Sequence, residues 1–181
     1  MHINRRRALK TALFLPSFFA ATAGQTSLAQ GLTGPAYEVT PWYGPTPGLD
    51  LLDITGKTWR WSDVQGRALL LNFWASWCEP CRAEMPTLQQ VADLYGADKL
   101  LVLAINFKEP AARALQFAKT AGIQLPVLLD TTGRVAAQCG VKVFPTTLML
   151  DNRGQARHRV KGEVDWTSSA AGKLIEGLFR T

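Results

Sequence analysis

Cys78-Glu79-Pro80-Cys81 places two thiols one helical turn apart, a spacing that suits thiol–disulfide exchange. The pair sits at a junction. Before it, Ala68-Leu69-Leu70-Leu71-Asn72-Phe73-Trp74-Ala75 is a nearly continuous apolar run, as a buried central strand has. After it, Met85, Leu88, Val91, Ala92 and Tyr95 fall on one face of a helix predicted from Glu79 to Tyr95. A helix N-terminus presents unpaired N–H groups and a partial positive charge, so a cysteine just before it has its thiolate stabilised and its pKa lowered. Cys78 holds that position, and Cys81 lies further in and less exposed. Cys78 would attack a target disulfide, and Cys81 would release the mixed disulfide by attacking Cys78. Pro80 suits the first turn, where its missing N–H costs nothing. Trp77, directly before Cys78, reads as an exposed platform for substrate.

Two other readings of the pair stand beside this one. A CxxC can be half of a zinc site, which needs two more ligands. Beyond residue 29 the chain offers only Cys139 and His158, the latter in a predicted exposed hairpin, so no metal site is expected. A static structural disulfide is the second reading, but three cysteines are an odd set, and a strand–helix junction is the reactive position. Cys139, just before Gly140, reads as a buried inert thiol. A third redox role would need a partner that the motif does not provide.

The rest of the pattern supplies a frame. Residues 30–46 are dense in breakers, among them Gly31, Gly34, Pro35, Pro41, Gly44 and Pro45, and read as an irregular lead-in. Leu49 to Trp61 suggests a β-hairpin around Gly56. Leu100 to Phe107 reads as a second buried strand, Pro110 to Ala121 as a helix, Leu125 to Asp130 as a short strand and Arg134 to Cys139 as a short helix. Thr146–Leu150 and Gln155–Lys161 pair across an Asp151-Asn152-Arg153-Gly154 turn, and Asp165 can cap a final helix from Trp166 to Phe179. Pro86 should kink the helix that contains it. This order implies a single α/β sandwich domain over residues 47–181, with helices on both faces.

Composition agrees with a globular core: 47% of the 181 residues are hydrophobic and 19% are charged. The net charge of +6 falls to +2 after residue 29, because Arg5, Arg6, Arg7 and Lys10 precede the first acid, Glu38. No basic stripe with interleaved aromatics remains, so nucleic acid is not an expected partner. Residues 1–29 read as a signal peptide: a basic start, an apolar stretch from Ala12 to Ala20, and Ser27-Leu28-Ala29 before a cut at Gln30. Asn4-Arg5-Arg6-Arg7-Ala8-Leu9-Lys10 also resembles a twin-arginine leader, with departures at Asn4 and Ala8. An uncleaved membrane anchor is the alternative. It needs about 20 mainly apolar residues, and Pro16, Ser17, Thr22, Gly24 and Gln25 interrupt this stretch.

Asn72-Phe73-Trp74-Ala75-Ser76-Trp77-Cys78-Glu79-Pro80-Cys81-Arg82-Ala83-Glu84-Met85-Pro86 resembles the TlpA/ResA-like family of exported thioredoxin-fold oxidoreductases. Gly140-Val141-Lys142-Val143-Phe144-Pro145-Thr146-Thr147-Leu148-Met149-Leu150-Asp151 resembles that family's second motif. The resemblance implies a thioredoxin fold, with a central mixed β-sheet flanked by helices and an N-terminal β-hairpin extension. It implies a redox-active Cys78–Cys81 disulfide and a cis peptide before Pro145, which would aim the backbone of Phe144 and Thr146 at an extended peptide. It also gives Glu84 a role. Thioredoxins proper have a buried aspartate where this chain has Asn72, and a buried Glu84 could handle the proton of Cys81 instead. A solvated Glu84, paired with Arg82 or Lys99, is the plainer reading.

The function so implied is a periplasmic disulfide reductase without a cofactor, kept reduced by a membrane thiol electron donor. It would act on exported proteins in cytochrome c or copper-site assembly. An exported oxidase is the near alternative, although the histidine that oxidases carry between the cysteines is absent here. A peroxiredoxin-like peroxidase would lack its Pro/Thr/Cys setting, and a Sco-type copper carrier its wider CxxxC and distant histidine.

Overall fold

A computed structural model of the chain describes residues 36–180. The leader read over 1–29 lies outside the described residues. In chain order the elements are β1 (Tyr37–Pro41), β2 (Asp50–Leu52), β3 (Thr58–Arg60), β4 (Ala68–Trp74), α1 (Glu79–Tyr95), β5 (Leu100–Phe107), α2 (Ala111–Thr120), β6 (Val127–Asp130), α3 (Arg134–Gln138), β7 (Thr146–Leu150), β8 (Ala156–Gly162) and α4 (Ser169–Gly177).

Six strands form one mixed sheet in the order β1-β8-β7-β4-β5-β6. β4 runs parallel to β5 and antiparallel to β7, and β5 runs parallel to β6. Every residue of β4 is buried, because the sheet is covered on both faces. Side chains alternate across it. Leu70 and Trp74 join α1, α2 and α4 through Met85, Leu88, Ala114, Ala118 and Ile175. Leu69, Leu71 and Phe73 face the other way, against α3 and the β2–β3 hairpin through Val135, Leu51 and Trp59.

The hairpin lies where the sequence places it. Its turn is closed by Asp53, whose carboxylate accepts from Thr55 N, Thr55 Oγ1, Lys57 N and the Trp59 indole at 2.6–3.0 Å. Burial pushes this carboxyl up, but the four hydrogen bonds outweigh it and hold the group below its ordinary range.

The structure departs from the sequence reading in three places. Residues 30–46 are not irregular throughout: β1 lies among them and adds an edge strand to β8, pairing Tyr37 with Gly162 and Pro41 with His158. Gly162 permits this close approach, with φ +98° and the Ala36 backbone where a Cβ would stand. The final helix starts at Ser169 with Ser168 as its cap; Asp165 instead closes the preceding turn through Thr167. His158 is half-buried in β8 rather than exposed. Pro86 sits inside α1, which runs unbroken to Tyr95. Among the described residues no helix is long and apolar enough to cross a membrane.

Candidate active site

β4 ends at Trp74, and four residues later Cys78 caps α1. The turn is held by Cys78 N donating to the Ala75 carbonyl at 3.1 Å. The cap is the cysteine sulfur itself: Cys81 N donates to Cys78 Sγ at 3.3 Å. Proline occupies the first turn, so no donor is wasted there. In the reduced protein the same N–H and the helix terminus favour a thiolate at Cys78. Cys78 and Cys81 form a disulfide, with S–S 2.10 Å and Cα–Cα 5.3 Å. Cys78 retains 6% exposure and Cys81 none, so an incoming sulfur meets Cys78 first.

Aromatic groups border the pair. Trp77 is 64% exposed and meets the edge of Phe144 at 5.8 Å, and Phe144 packs on Phe107 at 4.9 Å. The Phe144–Pro145 peptide is cis. Thr146, whose backbone the resemblance aims at an extended peptide, has a buried side chain, and its hydroxyl donates inward to the Val143 carbonyl at 2.8 Å.

Glu84 is 1% exposed, and the solvated reading falls. Arg82 pairs with Glu79 at 3.7 Å instead, and Lys99 lies over the Tyr95 and Phe179 rings. Asn72 of β4 donates to one Glu84 oxygen at 2.6 Å and to Thr147 Oγ1 at 3.0 Å, and Val164 N donates to the other Glu84 oxygen at 3.1 Å. Burial dominates over these hydrogen bonds and raises the carboxyl to about 8. Cys81 and Glu84 are i,i+3 neighbours on the buried side of α1, a spacing that puts Cβ atoms about 5–6 Å apart.

Cys139 is buried and free, and burial pushes its thiol up to about 12, which makes it inert near neutral pH.

One residue of the site has no motif to announce it. Glu109, just after β5, is 6% exposed and holds the loop before Cys78. Its carboxylate accepts from Ser76 N at 2.7 Å, Ser76 Oγ at 2.6 Å and Asn106 Nδ2 at 2.7 Å, with Arg113 at 3.9 Å. Burial works against the charge, but these partners prevail and the carboxyl lies below its usual range. Glu109→Ala leaves buried donors unpaired, at a cost of about 1–3 kcal/mol. The expected result is a thermal midpoint lower by several degrees and faster alkylation of Cys78 in the reduced protein. An unchanged midpoint and alkylation rate would show that the loop stands without this clamp.

A disulfide at the mouth of α1, on a mixed sheet flanked by helices, defines a thiol–disulfide oxidoreductase of thioredoxin fold. Comparison with known proteins agrees. ResA of Bacillus subtilis, a thiol-disulfide oxidoreductase, is 30% identical over 170 residues, which cover 90% of this chain and 88% of the relative. ResA of Geobacillus thermodenitrificans is 33% identical over 116 residues, covering 64% and 67% of the two chains. The crystal structure of a thioredoxin-family thiol:disulfide interchange protein from Chlorobium tepidum matches with a TM-score of 0.65 at 26% identity, over 77% of this chain and 97% of that one. Residues 44–159 match the model of the AhpC/TSA family, and the chain belongs to that family.

Proposed function

We propose that this oxidoreductase works in the periplasm as a disulfide reductase on exported proteins that receive haem or copper. The observation that carries the direction is the content of the redox pair. Glu79 and Pro80 stand between the cysteines, with no histidine to stabilise the Cys78 thiolate strongly. The Cys78 thiolate attacks one sulfur of the substrate disulfide. That bond breaks, a mixed disulfide forms, and the first substrate thiolate leaves. Glu84 takes the proton from Cys81, whose thiolate then attacks Cys78 Sγ. The intramolecular disulfide forms, the second substrate thiolate departs, and two electrons have passed to the substrate. A membrane dithiol donor returns the protein to its reduced form. Trp77 and Phe144 form the rim against which the substrate lies, and the backbone beside Pro145 receives it.

Reduced protein is expected to convert an oxidised Cys-Xaa-Xaa-Cys-His peptide, the haem-attachment sequence, to its dithiol while gaining the Cys78–Cys81 disulfide. Net oxidation of the reduced peptide by the oxidised protein would reverse the assignment. N-terminal sequencing of the exported protein should begin at Gln30; a Met1 start would indicate an uncut anchor.

A further inference from the structure

Beside the Phe144–Pro145 loop lies a cavity of about 350 Å³, lined by Gly140, Lys142, Val143, Thr146, Arg159 and Lys161. Three of these residues are cations and none is an acid. Lys161 pairs with Glu38 across the sheet edge at 3.3 Å. Lys142 and Arg159 have no ion pair among the described residues. Arg159 and Lys161 alternate along β8, so both side chains leave the same face of the strand.

Arg159 is held in place without being satisfied. Its guanidinium lies over the Trp42 ring at 5.4 Å. It also passes against Gly140, where a Cβ would come within 3.0 Å of Nη1. Its Nε is buried and has no hydrogen-bond partner among the described residues. That Nε is shielded from the cavity, so what the wall presents is the positive charge of Arg159 and Lys142 without a counter-ion among the described residues. The complementary group is an anionic oxygen acceptor. The cavity also has a defined relation to the reacting sulfurs. Val143 and Thr146 flank the Phe144–Pro145 peptide, and Phe144 touches Trp77 at the mouth of the disulfide.

We infer that this cavity takes a carboxylate side chain of the polypeptide whose disulfide is being exchanged, so that the protein favours substrates with an acidic residue near the reacting cysteine. The inference rests on the proposed function only in that the substrate is a polypeptide disulfide; it holds for either direction of electron flow. Lys142 and Arg159 supply the charge, and Gly140 leaves the space through which Arg159 reaches it.

The test uses oxidised peptides in which one Asp is walked along each flank of the cysteine, each paired with its Asn isostere. Hydroxyethyl disulfide reports exchange chemistry alone. At low salt the best-placed Asp peptide is expected to exceed its Asn twin about fivefold in kcat/KM. That preference should fade as ionic strength rises. In the double variant Lys142→Gln/Arg159→Gln the Asp-to-Asn ratio should collapse to about one. A folding defect lowers all substrates together and leaves the ratio intact, so an intact ratio in the variant overturns the inference. So does a wild-type protein that turns over hydroxyethyl disulfide and shows no Asp preference at any position. If hydroxyethyl disulfide itself is not turned over, the exchange function falls first and the inference with it.

Discussion

Cys78→Ser is expected to abolish disulfide exchange, by about a thousandfold or more, whereas Cys81→Ser should complete the first chemical step and stop. The difference follows from burial and from the helix. Cys78 is the sulfur with residual exposure, and it caps α1, where Cys81 N already points at it. Cys81 is fully buried one turn along and is bonded to Cys78. A Cys81→Ser protein therefore accumulates as a mixed disulfide with its substrate, visible as an added mass that dithiothreitol removes. Cys139 cannot rescue either variant, because it is buried and its thiol lies near 12. If Cys139→Ser were as damaging as Cys78→Ser, the two-cysteine mechanism would be wrong.

Glu84→Gln is expected to slow turnover by about a hundredfold, the usual scale for a lost acid–base group. With the carboxyl raised to about 8, Glu84 becomes a base as pH rises through that value. The wild-type rate of mixed-disulfide resolution should climb through a limb near pH 8, and Glu84→Gln should lack that limb while Cys78 alkylation stays intact. A glutamine that kept the limb would remove Glu84 from the mechanism. The same substitution carries a stability signature. The folded carboxyl titrates at about 8 against 4.5 unfolded, so the folded state binds more protons between those values. This contribution to stability is complete below about 4.5 and is lost as pH rises to about 8. Urea midpoints of Glu84→Gln relative to wild type should therefore improve steadily across that window.

The sequence was most legible where structure depends on near neighbours. The apolar run of β4, the helical face of α1 and the CxxC between them are local patterns, and all three lie where they were read. Glu84 was legible through the family resemblance as a buried carboxylate, and it is buried. What holds it was not legible, because that depends on Asn72 and on Val164, which is 80 positions away. Glu109 could not be read at all, since a lone acid after a strand looks like any other, and its partner Ser76 lies 33 residues upstream. The available hint was weak: a strand ending Asn106-Phe107, with a polar residue where the neighbouring apolar pattern continues. β1 was hidden among prolines and glycines. It is a short edge strand with Val39 partly exposed, so it carries little hydrophobic signal, and its partner β8 lies far along the chain. For Thr146 the reading concerned the backbone beside Pro145; the inward turn of its side chain to the Val143 carbonyl was not legible.

The reduction potential of the Cys78–Cys81 pair, measured by equilibration with a dithiol buffer, tests the central claim most directly. A single two-electron transition near the thioredoxin value of about −270 mV is the predicted result. A transition near about −120 mV would make the protein an oxidant, and the absence of any two-electron transition would contradict exchange at this pair altogether.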